Sequence, residues 1–171
     1  AERIQVELIK MLVSPNPTMM RTAYELGITK VILPEFDAMM ETTQETPHHM
    51  YTVGEHTLKA MQVIPADKVL RLTMLFHDMA KPVMKTVDAE GRAHFKMHDV
   101  KGADLTKMIL KRLKFDNDTL NKVVKLVRIR IMNIELGKLA PGKYRHLTKT
   151  EVAALMNSLK KSENNTEFRH K

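Results

Sequence analysis

The sequence predicts an all-α fold broken once by a small β-hairpin. Three observations carry this expectation. Apolar residues recur at helical spacing along most of the 171 residues. The 7 Pro and most of the 6 Gly fall between or at the ends of those periodic segments. Two Thr-x-x-Glu tetrapeptides, beginning at Thr52 and Thr148, have the form of capping boxes that open helices.

Taken in order, Glu2 to Val13 places Ile4, Leu8, Ile9, Met11 and Leu12 on one helical stripe. Ser14-Pro15-Asn16-Pro17 stops it, with Asn16 as an N-cap and Pro17 in the first turn of a second helix that runs to Leu26. Gly27 suits the C′ position. Ile28 to Leu33 reads as a turn ending at Pro34, Glu35 to Glu41 as a short helix, and Thr42 to Met50 as a polar loop. The box at Thr52 opens a helix to about Ile64, with Val53, Thr57, Ala60, Met61 and Ile64 facing inward. After Pro65, Ala66 to Met79 has almost no polar face, so it is expected to be the buried central helix, ended by Pro82. Lys85-Thr86-Val87 and Ala93-His94-Phe95 flank Asp88-Ala89-Glu90-Gly91 as a hairpin. Helices then follow over Val100 to Leu113 and Asp118 to Ile134, a loop over Leu136 to Arg145, and a last helix from Thr148 to about Leu159 before a polar tail.

Composition bounds the chemistry. Hydrophobic residues at 43% suffice for one core, and no run of about 18 apolar residues exists to cross a membrane. The first residues lack a basic start and apolar run, so cytoplasm is the expected compartment. Cys is absent, which excludes disulfides, thiolate metal sites and thiol catalysis. Any metal must be held by His, Asp, Glu or water. Lys and Arg number 28 against 20 Asp and Glu, giving +8. That balance favours an anionic partner, nucleic acid first, or else serves solubility alone.

His77-Asp78 stands in the most apolar segment, with Lys81 close behind at helical spacing. An imidazole and a carboxylate can bind a divalent metal, and a nearby ammonium can hold phosphate. The alternative is a helix C-terminus whose dipole Lys81 answers, with His77 and Asp78 hydrogen-bonded in the core. His56, on the helix just upstream, can meet His77 if the two helices fold back at Pro65. His98 opens the helix after the hairpin, where it either serves an anion site or caps the helix. His48 and His49 line a cleft or shape their loop, and His94, His146 and His170 have no chemical context. Lys107, Lys111, Arg112 and Lys114 crowd one helix, and Lys122, Lys125, Arg128 and Arg130 the next. This stripe either contacts nucleic-acid phosphates or is a solvated face.

Four segments carry a resemblance. They are Ile32-Leu33-Pro34-Glu35-Phe36, Pro47-His48-His49-Met50-Tyr51-Thr52-Val53-Gly54-Glu55-His56-Thr57-Leu58, Leu70 to Pro82, and Phe95-Lys96-Met97-His98-Asp99-Val100-Lys101-Gly102-Ala103. Together they resemble the HD domain of bacterial tRNA nucleotidyltransferases (CCA-adding enzymes) and poly(A) polymerases, over roughly Glu2 to Ile134. The resemblance implies a helical HD fold. It implies residues 1–46 as helices joining a nucleotidyltransferase head, 47–161 as the HD domain and 162–171 as tail. It implies His56, His77 and Asp78 as ligands of a divalent metal (Mg, Mn, Ni or Fe), with Lys81 acting on phosphate and His98 on phosphate or a second metal. The implied activity is metal-dependent hydrolysis of a phosphoester or nucleotide; the implied alternative is a tRNA-binding support domain. The chain departs from the family pattern at Ala80, where Gly is usual. It departs again at Leu126 to Arg130, where many members carry His, and in having no Asp after Asp118 to complete the site. No Gly-Ser pair and paired-Asp strand are present, so nucleotide addition is not expected of this chain, which reads as the downstream part of a longer enzyme.

Overall fold

A computed structural model of the chain describes residues 1–45, 51–128 and 148–160. The first helix, α1 (Glu2–Val13), has the predicted bounds and buries Leu8 and Leu12, one turn apart. The second starts later than expected. Met19 N donates to Asn16 O and Met20 N to Pro17 O, so the chain turns through Pro17 and Thr18 and α2 spans Met19–Glu25. Asn16 does not cap it, because its side-chain oxygen accepts from the Thr18 hydroxyl instead. Gly27 takes φ 71°, ending α2 and turning the chain directly into α3 (Ile28–Ile32). That segment was expected to be a turn. Its β-branched residues are poor helix formers, but packing against α2 and α4 and burial of Thr29 override propensity. Pro34 opens α4 (Pro34–Glu41), which buries Phe36 and Met39.

Thr52 caps α5 (Val53–Val63) by accepting from Glu55 N at 3.2 Å. Asp67 caps α6 (Lys68–Phe76) by accepting from Leu70 N at 2.9 Å. Every residue from Leu70 to Phe76 is buried, and α1, α5 and α9 surround the helix, as expected of a central element. It ends three residues before the expected Met79. In a continuous helix the Pro82 ring would strike the carbonyl of Asp78. The chain therefore breaks into turns, with Met79 N donating to Phe76 O and Lys81 N to Asp78 O. Pro82 itself sits in the first turn of the next helix, α7 (Lys81–Met84).

The predicted hairpin pairs β1 (Thr86–Val87) with β2 (Ala93–His94) antiparallel, Thr86 opposite His94 and Val87 opposite Ala93. Gly91 supplies the left-handed turn residue at φ 79°. Asp88 Oδ1 accepts from Glu90 N and Arg92 N, and His94 Nε2 lies 2.8 Å from Asp88 Oδ2, so His94 clamps the turn. Then come α8 (His98–Arg112), two residues earlier than predicted, and α9 (Asn117–Arg128), which pack on each other. The expected continuation to Ile134, the loop from Leu136 to Arg145 and the tail lie outside the described residues. A complete capping box opens α10 (Lys149–Lys160): Glu151 N donates to Thr148 Oγ1, and Thr148 N donates to Glu151 Oε2. No described helix is long and apolar enough to cross a membrane.

Candidate functional site

The break after α6 creates the site. His77 is the C-cap residue of the central helix, and Asp78 follows in the turn, its side chain only 5% exposed. A carboxylate so deeply placed needs partners, and it has three. Lys81 Nζ lies 2.8 Å from Asp78 Oδ2, His77 Nε2 lies 3.2 Å from the same oxygen, and His98 Nε2 approaches Oδ1 at 3.5 Å. The turn thus does what helical spacing was expected to do, by a different backbone path.

His56 arrives from α5. Gly54 lets that helix lie against α4: a Cβ there would fall 2.8 Å from Met40 N and 2.9 Å from Met40 Cα. The ring centroids of His56 and His77 are 5.9 Å apart. One ligand atom from each of His56, His77 and Asp78 falls within 4.8 Å of the others.

Both site imidazoles around Asp78 are oriented by their own backbone. His77 Nδ1 lies 2.7 Å from Met74 O, and His98 Nδ1 lies 2.6 Å from Phe95 O. A carbonyl can only accept, so each Nδ1 carries the proton and each Nε2 is turned toward Asp78. In this tautomer Nε2 is the nitrogen left free to bind a metal.

Electrostatics agree. Burial alone would favour a neutral Asp78, but His77 and then Lys81 outweigh it and hold the carboxyl well below the usual carboxylate range. Burial disfavours the charged form of His77, yet the neighbouring Asp78 carboxylate prevails and raises its pKa. Without a cation, two acceptors, the His77 Nε2 lone pair and Asp78 Oδ2, would face each other at 3.2 Å. A proton or a metal resolves that clash, and two imidazoles with an ionised carboxylate are a donor set that fits a divalent metal.

Sequence reasoning missed Gln44. It is 2% exposed in the segment after α4, and its Oε1 accepts from Lys81 Nζ at 2.9 Å. Its Nε2 donates to Tyr51 O at 3.2 Å. Lys81 Nζ also stands 5.3 Å above the Phe95 ring. A lone Gln in a polar stretch carries no periodicity, so no signal pointed to it.

The predicted basic residues are dispersed in their pairing. Arg112 is committed to Glu35 by two parallel hydrogen bonds of 2.7 Å, and Lys122 to Asp118 at 2.9 Å. Lys107, Lys111 and Lys114 are exposed, and among the described residues no carboxylate pairs with them. Lys125 is half-buried on α9, and Arg128 is the last residue of that helix. Arg130, His48 and His49 lie outside the described residues.

Known proteins resemble the chain in two ways. A family model described as a probable RNA- and SrmB-binding site of polymerase A matches residues 1–40. A CC-adding tRNA nucleotidyltransferase of Thermus thermophilus is 34% identical over 134 residues, covering 74% of this chain and 31% of that protein. An A-adding tRNA nucleotidyltransferase of Deinococcus radiodurans is 34% identical over 140 residues, 78% of this chain and 32% of that protein. A multifunctional CCA protein of Neisseria gonorrhoeae is 31% identical over 145 residues, 81% of this chain and 34% of that protein. The chain therefore spans about a third of the length of the curated relatives it matches.

Proposed function

The chain belongs to the tRNA nucleotidyltransferase family, and from that premise we propose that it carries an HD-type site that binds a divalent metal and hydrolyses phosphoesters. The observation supporting this reading is the convergence of His56, His77 and Asp78 within 4.8 Å, with Lys81 on the same carboxylate. Two nitrogens and one oxygen suit Mn, Fe or Ni better than Mg, which prefers oxygen ligands. His56, His77 and Asp78 would hold the metal, which would bring the pKa of a bound water toward neutrality. The protein groups do the rest. Asp78 stays ionised, and His77 presents a fixed Nε2. Lys81 has three donors; even with Asp78 and Gln44 taking two, as in this structure, one N–H is left for a phosphate oxygen. His98 Nε2 lies 3.5 Å from the other oxygen of Asp78, beside the place where Lys81 would hold a phosphate.

A second reading is favoured by the exposed cations on and just after α8 and by the relatives' names: the chain supports tRNA, with Lys107, Lys111 and Lys114 on its backbone phosphates. In this reading RNA is the partner and the metal site is secondary.

Metal content after Mn and Ni loading, for the chain and for Asp78→Ala, separates them. Near-stoichiometric metal lost in the variant, together with cleavage of bis(p-nitrophenyl) phosphate, is the expected result. No metal in either protein would overturn the hydrolase reading and leave RNA support.

A further inference from the structure

We infer that Gln44 is a positioning residue: it lets Lys81 yield Asp78 to an arriving cation without leaving the site. The inference rests on the metal-site reading above. The Lys81 ammonium, its side chain 11% exposed, lies on Asp78 Oδ2, the same oxygen that His77 Nε2 approaches. A cation shared by His77 and Asp78 must therefore compete with Lys81 for that oxygen. A buried ammonium stripped of its carboxylate is costly unless another acceptor remains.

Gln44 Oε1 is that acceptor, at 2.9 Å. An ammonium only donates, so the amide oxygen and not its nitrogen must face Lys81. Being neutral, the amide holds the ammonium without adding a charge that would trap it. It is also braced. Gln44 Nε2 donates to Tyr51 O, and Val53 N donates to Thr42 O, so the segment is tied at two points to the start of α5, the helix that carries His56. The resting place of Lys81 is thereby fixed relative to the opposite ligand.

The test is Mn2+ titration followed by electron paramagnetic resonance of the free ion, on the full chain and its variants. Gln44→Met keeps volume but removes the acceptor; it is expected to weaken Mn2+ binding about tenfold with unchanged stoichiometry. Gln44→Glu keeps an acceptor toward Lys81 but cannot donate to Tyr51 O; it is expected to bind at least as tightly as the parent. If Gln44 were only a loop brace, Gln44→Glu would fail alongside Gln44→Met, and the inference would fall. Equal binding by Gln44→Met and parent would also overturn it while leaving the metal site standing. A parent that binds no Mn2+ would overturn both. Should Gln44→Met not fold, Gln44→Asn, which withdraws the acceptor by one methylene, is expected to weaken binding in the same sense.

Discussion

Arg71 Nη1 donates to the main-chain carbonyl of Leu12 across 2.9 Å. Its Nη2 and Nε donate to Ile64 O and Pro65 O, each at 3.0 Å. One buried guanidinium so satisfies carbonyls at the C-terminal ends of α1 and α5, which no further helical turn can reach. Arg71→Met retains the packing stem and strands three acceptors. The expected loss is about 2–4 kcal/mol, read as a lower urea midpoint at unchanged slope.

Gly54→Ala tests the contact that seats α5 on α4. The added methyl would meet Met40 backbone atoms, which cannot swing aside as a side chain can. Destabilisation of about 1–3 kcal/mol is expected. Because His56 follows two residues later, Mn2+ affinity should fall with it; a variant as stable as the parent would show that α4 yields freely.

Lys114→Gly should stabilise the chain. Lys114 sits at φ 63°, the left-handed position after α8. Its N–H bonds Lys111 O and that of Phe115 bonds Leu110 O, the Schellman pattern that glycine favours. Relief of the side-chain strain is worth about 1 kcal/mol, measurable as a raised thermal midpoint.

The metal-free chain should lose stability on both sides of neutrality. Asp78 and Glu55 are held low in the folded state, Asp78 by His77 and Lys81 against burial, Glu55 chiefly by its hydrogen bond with Arg21. Their contributions are present above the unfolded value of about 4 and drain away as pH falls below it. His77 is raised, so its contribution is complete below about pH 6.5 and is lost as pH climbs through the folded value. Asp78→Asn should flatten both limbs in urea titrations run with a chelator present; an unchanged acid limb would assign it to Glu55 alone.

For tRNA binding, Lys111→Ala should reduce the slope of log affinity against log salt by about one. Arg112→Ala should change it less, since Glu35 already neutralises that guanidinium. Equal slopes for the two variants would mean the Arg112 pair opens on binding.

Much of this was legible in the residues, and the failures have physical causes. The α1 bounds, both capped helix starts and the hairpin follow from periodicity and local hydrogen-bond chemistry. Yet the Thr52 box is only half used as written, because the Glu55 carboxylate turns to Arg21. A local motif cannot reveal a competitor 34 residues away. The α6 break was hidden because His77 to Ala80 have no helix-breaking residue, and the cause, Pro82, acts backward on Asp78. His56, His77, Asp78, Lys81 and His98 were singled out from residue type and spacing, and the structure brings them around one carboxylate. Gln44 could not be, since its partners at 51 and 81 are joined to it only by the fold.

The two backbone clamps on the imidazoles have a wider consequence. Each spans four residues, Met74 to His77 and Phe95 to His98. Ring orientation is therefore a local property of two short cassettes, and tertiary packing has only to dock one beside the other. Sequence drift elsewhere can remodel what reaches Asp78 while the aim of both rings is inherited intact.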